Sequence, residues 1–274
     1  MAIAPRPPPD SSNPSVFAAG TKADSETGRI AYERQQSRMM DSGVEIAEHD
    51  SVAWVTFKRA EKRNAITAEM WDSIHVALTA LGQREDIRAL AIQGSGGTFS
   101  AGADLRSIRN RDGSLSEEYH EWAFRALAAV RKFPRPTVAV IDGPCIGAGC
   151  SVALACDVRF ASSSATFAVP SASLGIVYEE WSTVRLVDLI GSGRTNRFLL
   201  SGMRVSAREA EDWGLIERCT DDLATDSETY LRALCAGDPA AIAETRRIIR
   251  RLAGPTEQQP IAIPETNTDP VPTA

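Results

Sequence analysis

Apolar and polar positions along the middle of the chain follow two alternating periods. "SVAWVTF" (51–57) has the β-branched and aromatic composition of a strand. Thr67 then stands as an N-cap before Met70, Ile74, Leu78 and Leu81, whose spacing predicts an amphipathic helix. "IRALAIQG" (87–94) reads as a buried strand that ends in glycine. Tyr119, Trp122, Ala126, Leu127 and Val130 form a second helical stripe, and Ser114 and Glu117 are spaced as its capping box. "PTVAVID" (136–142) is the next strand, and beyond about residue 180 the chain reads as mostly helical. Strands alternating with helices predict an α/β fold with crossover connections, followed by a helical region.

Composition limits what this fold can serve. The chain has 274 residues, 43% of them hydrophobic, enough for a substantial core. Residues 1–42 and 253–274 are rich in proline and polar residues and are expected to be disordered extensions, leaving 43–252 as the folded part. A net charge of −6 argues against nucleic acid as a partner. The five cysteines and three histidines lack metal-ligand spacing, so no metal site is expected. The odd cysteine count suits a reducing compartment. With no apolar run of membrane-spanning length and no signal-peptide pattern, no membrane partner and a cytoplasmic location are expected.

Two strand-to-loop-to-helix junctions carry the candidate chemistry: "QGSGGTFSAGADL" (93–105) and "IDGPCIGAGCSVALACD" (141–157). At each, a helix N-terminus directs unpaired N–H groups and a positive dipole end into one region. Two such amides converging on one oxygen make an oxyanion hole. Ordinary glycine-rich turns have the same composition. Neither loop has the G-K-[ST] of a P-loop, "GAGCSV" lacks the last glycine of a dinucleotide fingerprint, and no G-x-S-x-G elbow is present.

"KRAEKRNAIT", "GTFSAGADL" and "IDGPCIGAGCSVALACDVRFAS", in that order, resemble the crotonase superfamily of enoyl-CoA hydratases and isomerases. The resemblance implies a spiral of ββα units over 43–200, with a shortened C-terminal helical region over 201–252. It implies an acyl-CoA thioester as the small-molecule partner, with coenzyme A entering as part of the substrate and no permanently bound cofactor. The N–H groups of Ala103 and Ala148 take the places of the oxyanion donors. Lys58, Arg59, Lys62 and Arg63 fall near the CoA phosphates, and Ala65, Ala101, Gly102, Asp104, Leu105 and Gly147 fall around the substrate. A homo-oligomer of trimer type or higher is implied, weakened by the short C-terminus, where "RRIIRR" (246–251) reads as a surface helix face in preference to an anion contact.

The same resemblance exposes two departures. The positions of the paired hydratase glutamates hold Ser151 and Ser171 here. A serine hydroxyl is no comparable base unaided, so both serines are expected to line the pocket and efficient hydration is not. Glu179, four residues after Gly175, matches the spacing of the acid in superfamily members that move a double bond or dehalogenate aryl thioesters. It is also an ordinary helix-start acid favoured by the dipole. Three readings follow. The first is isomerase-type enolate chemistry with Glu179 as the single proton carrier, the second a non-catalytic acyl-CoA-binding protein, and the third a weak hydratase.

Overall fold

Among the described residues, nine short strands form two sheets and seven α-helices pack around them. The computed structural model describes residues 42–110 and 116–253. The extensions expected at the two ends therefore lie outside the described residues, apart from Ser42 and Ala253.

Strands β1 (Val44–His49) and β2 (Val52–Phe57) form an antiparallel hairpin. Its turn residues Asp50 and Ser51 both have positive φ, the conformation that matches the twist of the flanking strands. Strands β3 (Ala89–Gly94), β4 (Thr137–Ile141), β6 (Val158–Ser162) and β9 (Arg218–Thr220) extend this sheet in parallel, in the order β1-β2-β3-β4-β6-β9. A second sheet holds β5 (Pro144–Ile146), β7 (Thr166–Ala168) and β8 (Val205–Ser206). The hairpin-plus-crossover unit is the ββα repeat, and helices close the C-terminal region.

Alternation along the parallel strands divides the core. Val55, Phe57, Leu90, Ile92, Ala139 and Ile141 face α1 (Ala68–Gly82) and α2 (Glu117–Lys132), meeting Trp71, Ile74, Leu78, Leu127 and Val130. Val52, Ala89, Ala91, Val138, Val140 and Phe160 face the other way, onto Leu231 and Tyr230 of α6 (Leu223–Ala236). A parallel sheet buried on both faces needs this near-continuous apolar content. Each fully buried leucine-sized side chain contributes about 1.5–3 kcal/mol.

Helix starts follow local chemistry. Thr67 caps α1, its hydroxyl accepting from Met70 N at 3.2 Å, as the spacing predicts. The α2 cap differs from expectation: it is Ser116, whose Oγ accepts from Tyr119 N at 3.2 Å, and Ser114 lies outside the described residues. Two serines at neighbouring positions each precede an acidic residue by a short spacing, and the sequence does not choose between them. Helices α3 (Ala148–Ala155), α4 (Glu180–Ser201) and α5 (Ala207–Trp213) follow, α4 being interrupted at Gly191.

The last helix, α7 (Pro239–Leu252), corrects the surface reading of "RRIIRR". Arg246 Nε and Arg250 Nη2 reach the Asp157 carboxylate at 2.7 and 3.1 Å, and Arg246 Nη1 reaches Phe133 O at 2.6 Å. Asp157 also accepts from Thr137 N at 2.8 Å. Half the arginines of the run are therefore docking contacts. Asp157→Ala is expected to cost about 2–3 kcal/mol by removing the carboxylate that pairs with two mostly buried guanidinium groups. Hydrogen–deuterium exchange should rise over 239–252 while β3 and β4 stay protected.

Candidate functional site

The site lies where the two glycine-containing loops meet. After β3 the chain folds back on itself and runs along β5: Ser100 N donates to Pro144 O at 3.0 Å, and Ile146 N donates to Ser100 O at 2.9 Å. On its other side this segment pairs with the loop after β2. Ala101 N donates to Arg63 O at 2.8 Å, Ile66 N to Gly102 O at 2.8 Å, and Asp104 N to Ile66 O at 2.9 Å. Residue 103 stands between the last two bonds, so its own N–H faces away from Ile66. Across the gap, Gly147 N is taken by Ala168 O at 2.8 Å, and Ala148 opens α3 with the unpaired N–H of a first-turn residue. Among the described residues, no backbone acceptor takes the N–H of Ala103 or of Ala148.

Gly102 permits this approach. Its φ is +102°, and a Cβ there would lie 3.0 Å from Ile146 O and 3.8 Å from Ala148 N. The geometry thus sets two free amides on adjacent, backbone-to-backbone segments, with the positive end of α3 behind one of them. Helix α3 is buried from Gly149 to Ala155, so it holds its first peptide rigidly.

Asn64, which the sequence reading did not single out, ties the loops together. It is fully buried with φ +54°; its Nδ2 donates to Ser95 O at 2.9 Å and Thr98 O at 2.6 Å, and its Oδ1 accepts from Arg59 N at 2.9 Å. Its carbonyl accepts from Ser100 Oγ at 2.8 Å. Asparagine combines tolerance of the left-handed conformation with donors and an acceptor on one short side chain. That combination, within "KRNAIT", was the available signal.

The basic cluster divides. Lys58, Lys62 and Arg63 are exposed, with Lys58 Nζ 3.0 Å from Glu45. Arg59 turns inward instead: its Nη1 donates to Ala65 O at 2.6 Å and to Asp104 Oδ2 at 3.1 Å. Within the basic patch, Arg59 is a brace that occupies the Ala65 carbonyl and the Asp104 carboxylate. Leu105 beside them is 61% exposed.

A second polar group gathers beneath α3. Ser151 is 1% exposed, and its Oγ lies 2.8 Å from the hydroxyl of Tyr178. Both hydroxyls lie 3.4 Å from Gly147 O. Burial, and then the adjacent charge of Glu179, push the Tyr178 phenol well above its ordinary range, so it stays neutral. Glu179 stands at the N-cap position of α4 without a side-chain bond to the helix amides, and its Oε1 accepts from the buried Ser182 Oγ at 2.7 Å. Its charge also helps raise the phenol of buried Tyr119, after burial itself, and Tyr119 OH donates to Ile66 O at 3.2 Å. Glu179 is therefore within electrostatic reach of the elements that carry both free amides. Ser171 is not part of this cluster; it starts the 3-10 turn Ala172–Leu174, where its carbonyl accepts from Leu174 N and Ile176 N, each at 3.0 Å. Tyr178 was missed by the sequence reading, its only signal being its place before Glu179.

Nucleophilic thiols do not compete for the chemistry. Cys145 and Cys156 are buried; burial holds the first well above the usual thiol range and pushes the second up to about 12. Among the described residues, no group of three or more His, Cys, Asp or Glu side chains could hold a metal ion. None of the described helices is long and apolar enough to cross a membrane.

Residues 47–269 match the protein-family model described as enoyl-CoA hydratase/isomerase. YngF of Bacillus subtilis, assigned by name as an enoyl-CoA hydratase/isomerase, is 32% identical over 217 residues, covering 78% of this chain and 83% of that protein. A 4-chlorobenzoyl coenzyme A dehalogenase of Arthrobacter is 31% identical over 185 residues, covering 65% of this chain and 66% of the relative. A Thermobifida fusca protein solved in complex with acetoacetyl-CoA superposes with a TM-score of 0.72 at 26% identity, covering 79% of this chain and 89% of that one.

Proposed function

Because the chain belongs to the enoyl-CoA hydratase/isomerase family, we propose that it binds acyl-CoA thioesters and moves a double bond through an enolate, with Glu179 as its one proton carrier. The observation that supports this most is the presence of two unoccupied amides, Ala103 and Ala148, together with Glu179, a carboxylate not engaged by a guanidinium, whereas Asp104 beside Ala103 is paired with Arg59. The position of a second acid is filled by a buried serine already bonded to a tyrosine.

In this reading the thioester oxygen accepts from the Ala103 and Ala148 N–H groups. Glu179 takes a proton from C2 of a 3-enoyl thioester, and the electron pair moves into the carbonyl, leaving a dienolate whose oxygen both amides stabilise. The electrons return through C2 and C3, and C4 takes the proton back from Glu179, giving the 2-enoyl thioester. No water enters the product, so one carboxylate suffices. Lys58, Lys62 and Arg63 remain available to the CoA phosphates, while Leu105, Gly102, Ala101 and Gly147 border the acyl group. The relation to a 4-chlorobenzoyl coenzyme A dehalogenase supports a coenzyme A thioester as the ligand.

A second reading, a binding protein without turnover, draws on the hydrogen bond that already engages Glu179. Deuterium decides between them. A short 3-enoyl-CoA incubated with the protein in D2O is expected to acquire deuterium at C2 or to appear as labelled 2-enoyl product, by mass spectrometry and NMR. Saturable binding without exchange, over several chain lengths, would overturn the isomerase reading in favour of the second.

A further inference from the structure

Resting on the reading of Ala148 as a thioester donor, we infer that Tyr178 is a positioning residue: together with Ser151 it fixes and polarises the Gly147–Ala148 peptide, whose N–H is that donor. The argument is one of hydroxyl protons. Ser151 and Tyr178 bring one proton each to a triangle formed by their two oxygens and Gly147 O. One proton lies in the 2.8 Å bond between the hydroxyls. If Tyr178 donates in that bond, the Ser151 proton has Gly147 O at 3.4 Å as its acceptor; if Ser151 donates, the phenol proton is shared between Gly147 O at 3.4 Å and the Ser182 hydroxyl.

Gly147 O already accepts from Ser151 N at 3.1 Å as the first bond of α3. A carbonyl that accepts a further bond draws density from its own amide nitrogen, and the N–H of the same peptide becomes a stronger donor. That N–H belongs to Ala148. Burial and the Glu179 charge keep the phenol protonated, so the contact persists across the working pH range.

The chain thereby keeps a polar group at position 151 without presenting it to substrate. Ser151 is 1% exposed, and both of its partners are internal. The pair acts through the donor peptide, and because Tyr178 immediately precedes Glu179 its bond to Ser151 also anchors the chain just before that carboxylate.

The test uses the full chain with [1-13C]butyryl-CoA as probe, read by infrared difference spectroscopy and by C2 deuterium exchange. Binding to the unaltered protein is expected to lower the thioester carbonyl frequency. Tyr178→Phe and Ser151→Ala should each recover much of that shift and slow exchange by about tenfold with the Kd unchanged, a fraction of the effect of deleting a direct donor. Glu179→Gln should keep the shift while losing exchange. A full shift retained in both hydroxyl variants would overturn the inference and leave the oxyanion reading standing. No shift in the unaltered protein would overturn both.

Discussion

Glu179→Gln is expected to remove C2 proton exchange from a bound 3-enoyl or saturated acyl-CoA while leaving its Kd unchanged. General-base catalysis of this kind contributes about 10²–10⁴-fold, and the carboxamide keeps the size and the acceptor that Ser182 Oγ uses at 2.7 Å. The loss should therefore fall on the rate and not on the complex. Stopped exchange followed by mass spectrometry, with calorimetric titration of the same ester, separates the two. Unchanged exchange in the variant would sink the assignment, since no other described carboxylate is joined to the Tyr178 and Ser182 hydroxyl cluster at the head of α4.

Gly143→Ala should be among the most damaging single methyls at the described glycines, because a backbone clash and a left-handed backbone coincide there. Gly143 has φ +63°, and an added Cβ would stand 2.1 Å from Gly97 O, a backbone atom of the first loop. A left-handed alanine costs about 1–2 kcal/mol and overpacking against backbone about 1–3 more. The two loops must part to relieve it, which separates the amides they carry. A loss of about 3 kcal/mol, or roughly 6–12 °C in melting temperature for a chain of this size, should accompany loss of the carbonyl shift on ester binding. A melting temperature within 2 °C of the parent, roughly the effect of less than 1 kcal/mol, would show that the loops accommodate the methyl.

The order of β2, α1, β3, α2 and β4 was legible because each of those strands is a short apolar run and each of those helices carries a stripe at helical spacing. The close approach of the two glycine-containing loops was legible as well, since glycine spacing marks such backbone contacts. Side-chain partnerships across the fold were not. Nothing in "RRIIRR" states that Asp157, 89 residues before Arg246, receives it. Tyr178 and Ser151 are 27 residues apart and meet only because β6, β7 and a 3-10 turn return the chain under α3. Arg59 looked like its neighbours in "KRAEKR" but turns inward because the Asp104 carboxylate and the Ala65 carbonyl offer it partners. Strand β9 is three residues long, too short for its period to stand out among helices.

The Arg59–Asp104 pair carries an electrostatic consequence for the donor next to it. A carboxylate directly follows Ala103 in the chain, and left alone its negative potential would oppose any anion forming on an oxygen bound to that amide. With the guanidinium nitrogen 3.1 Å from Asp104 Oδ2, both groups being 17–22% exposed, the two fields largely cancel at a distance. What remains at the first loop is the dipole of the amide itself, unopposed. The pair sets the loop's local net charge to zero, so the dipole at the start of α3 and the paired N–H groups govern how much negative charge the site tolerates.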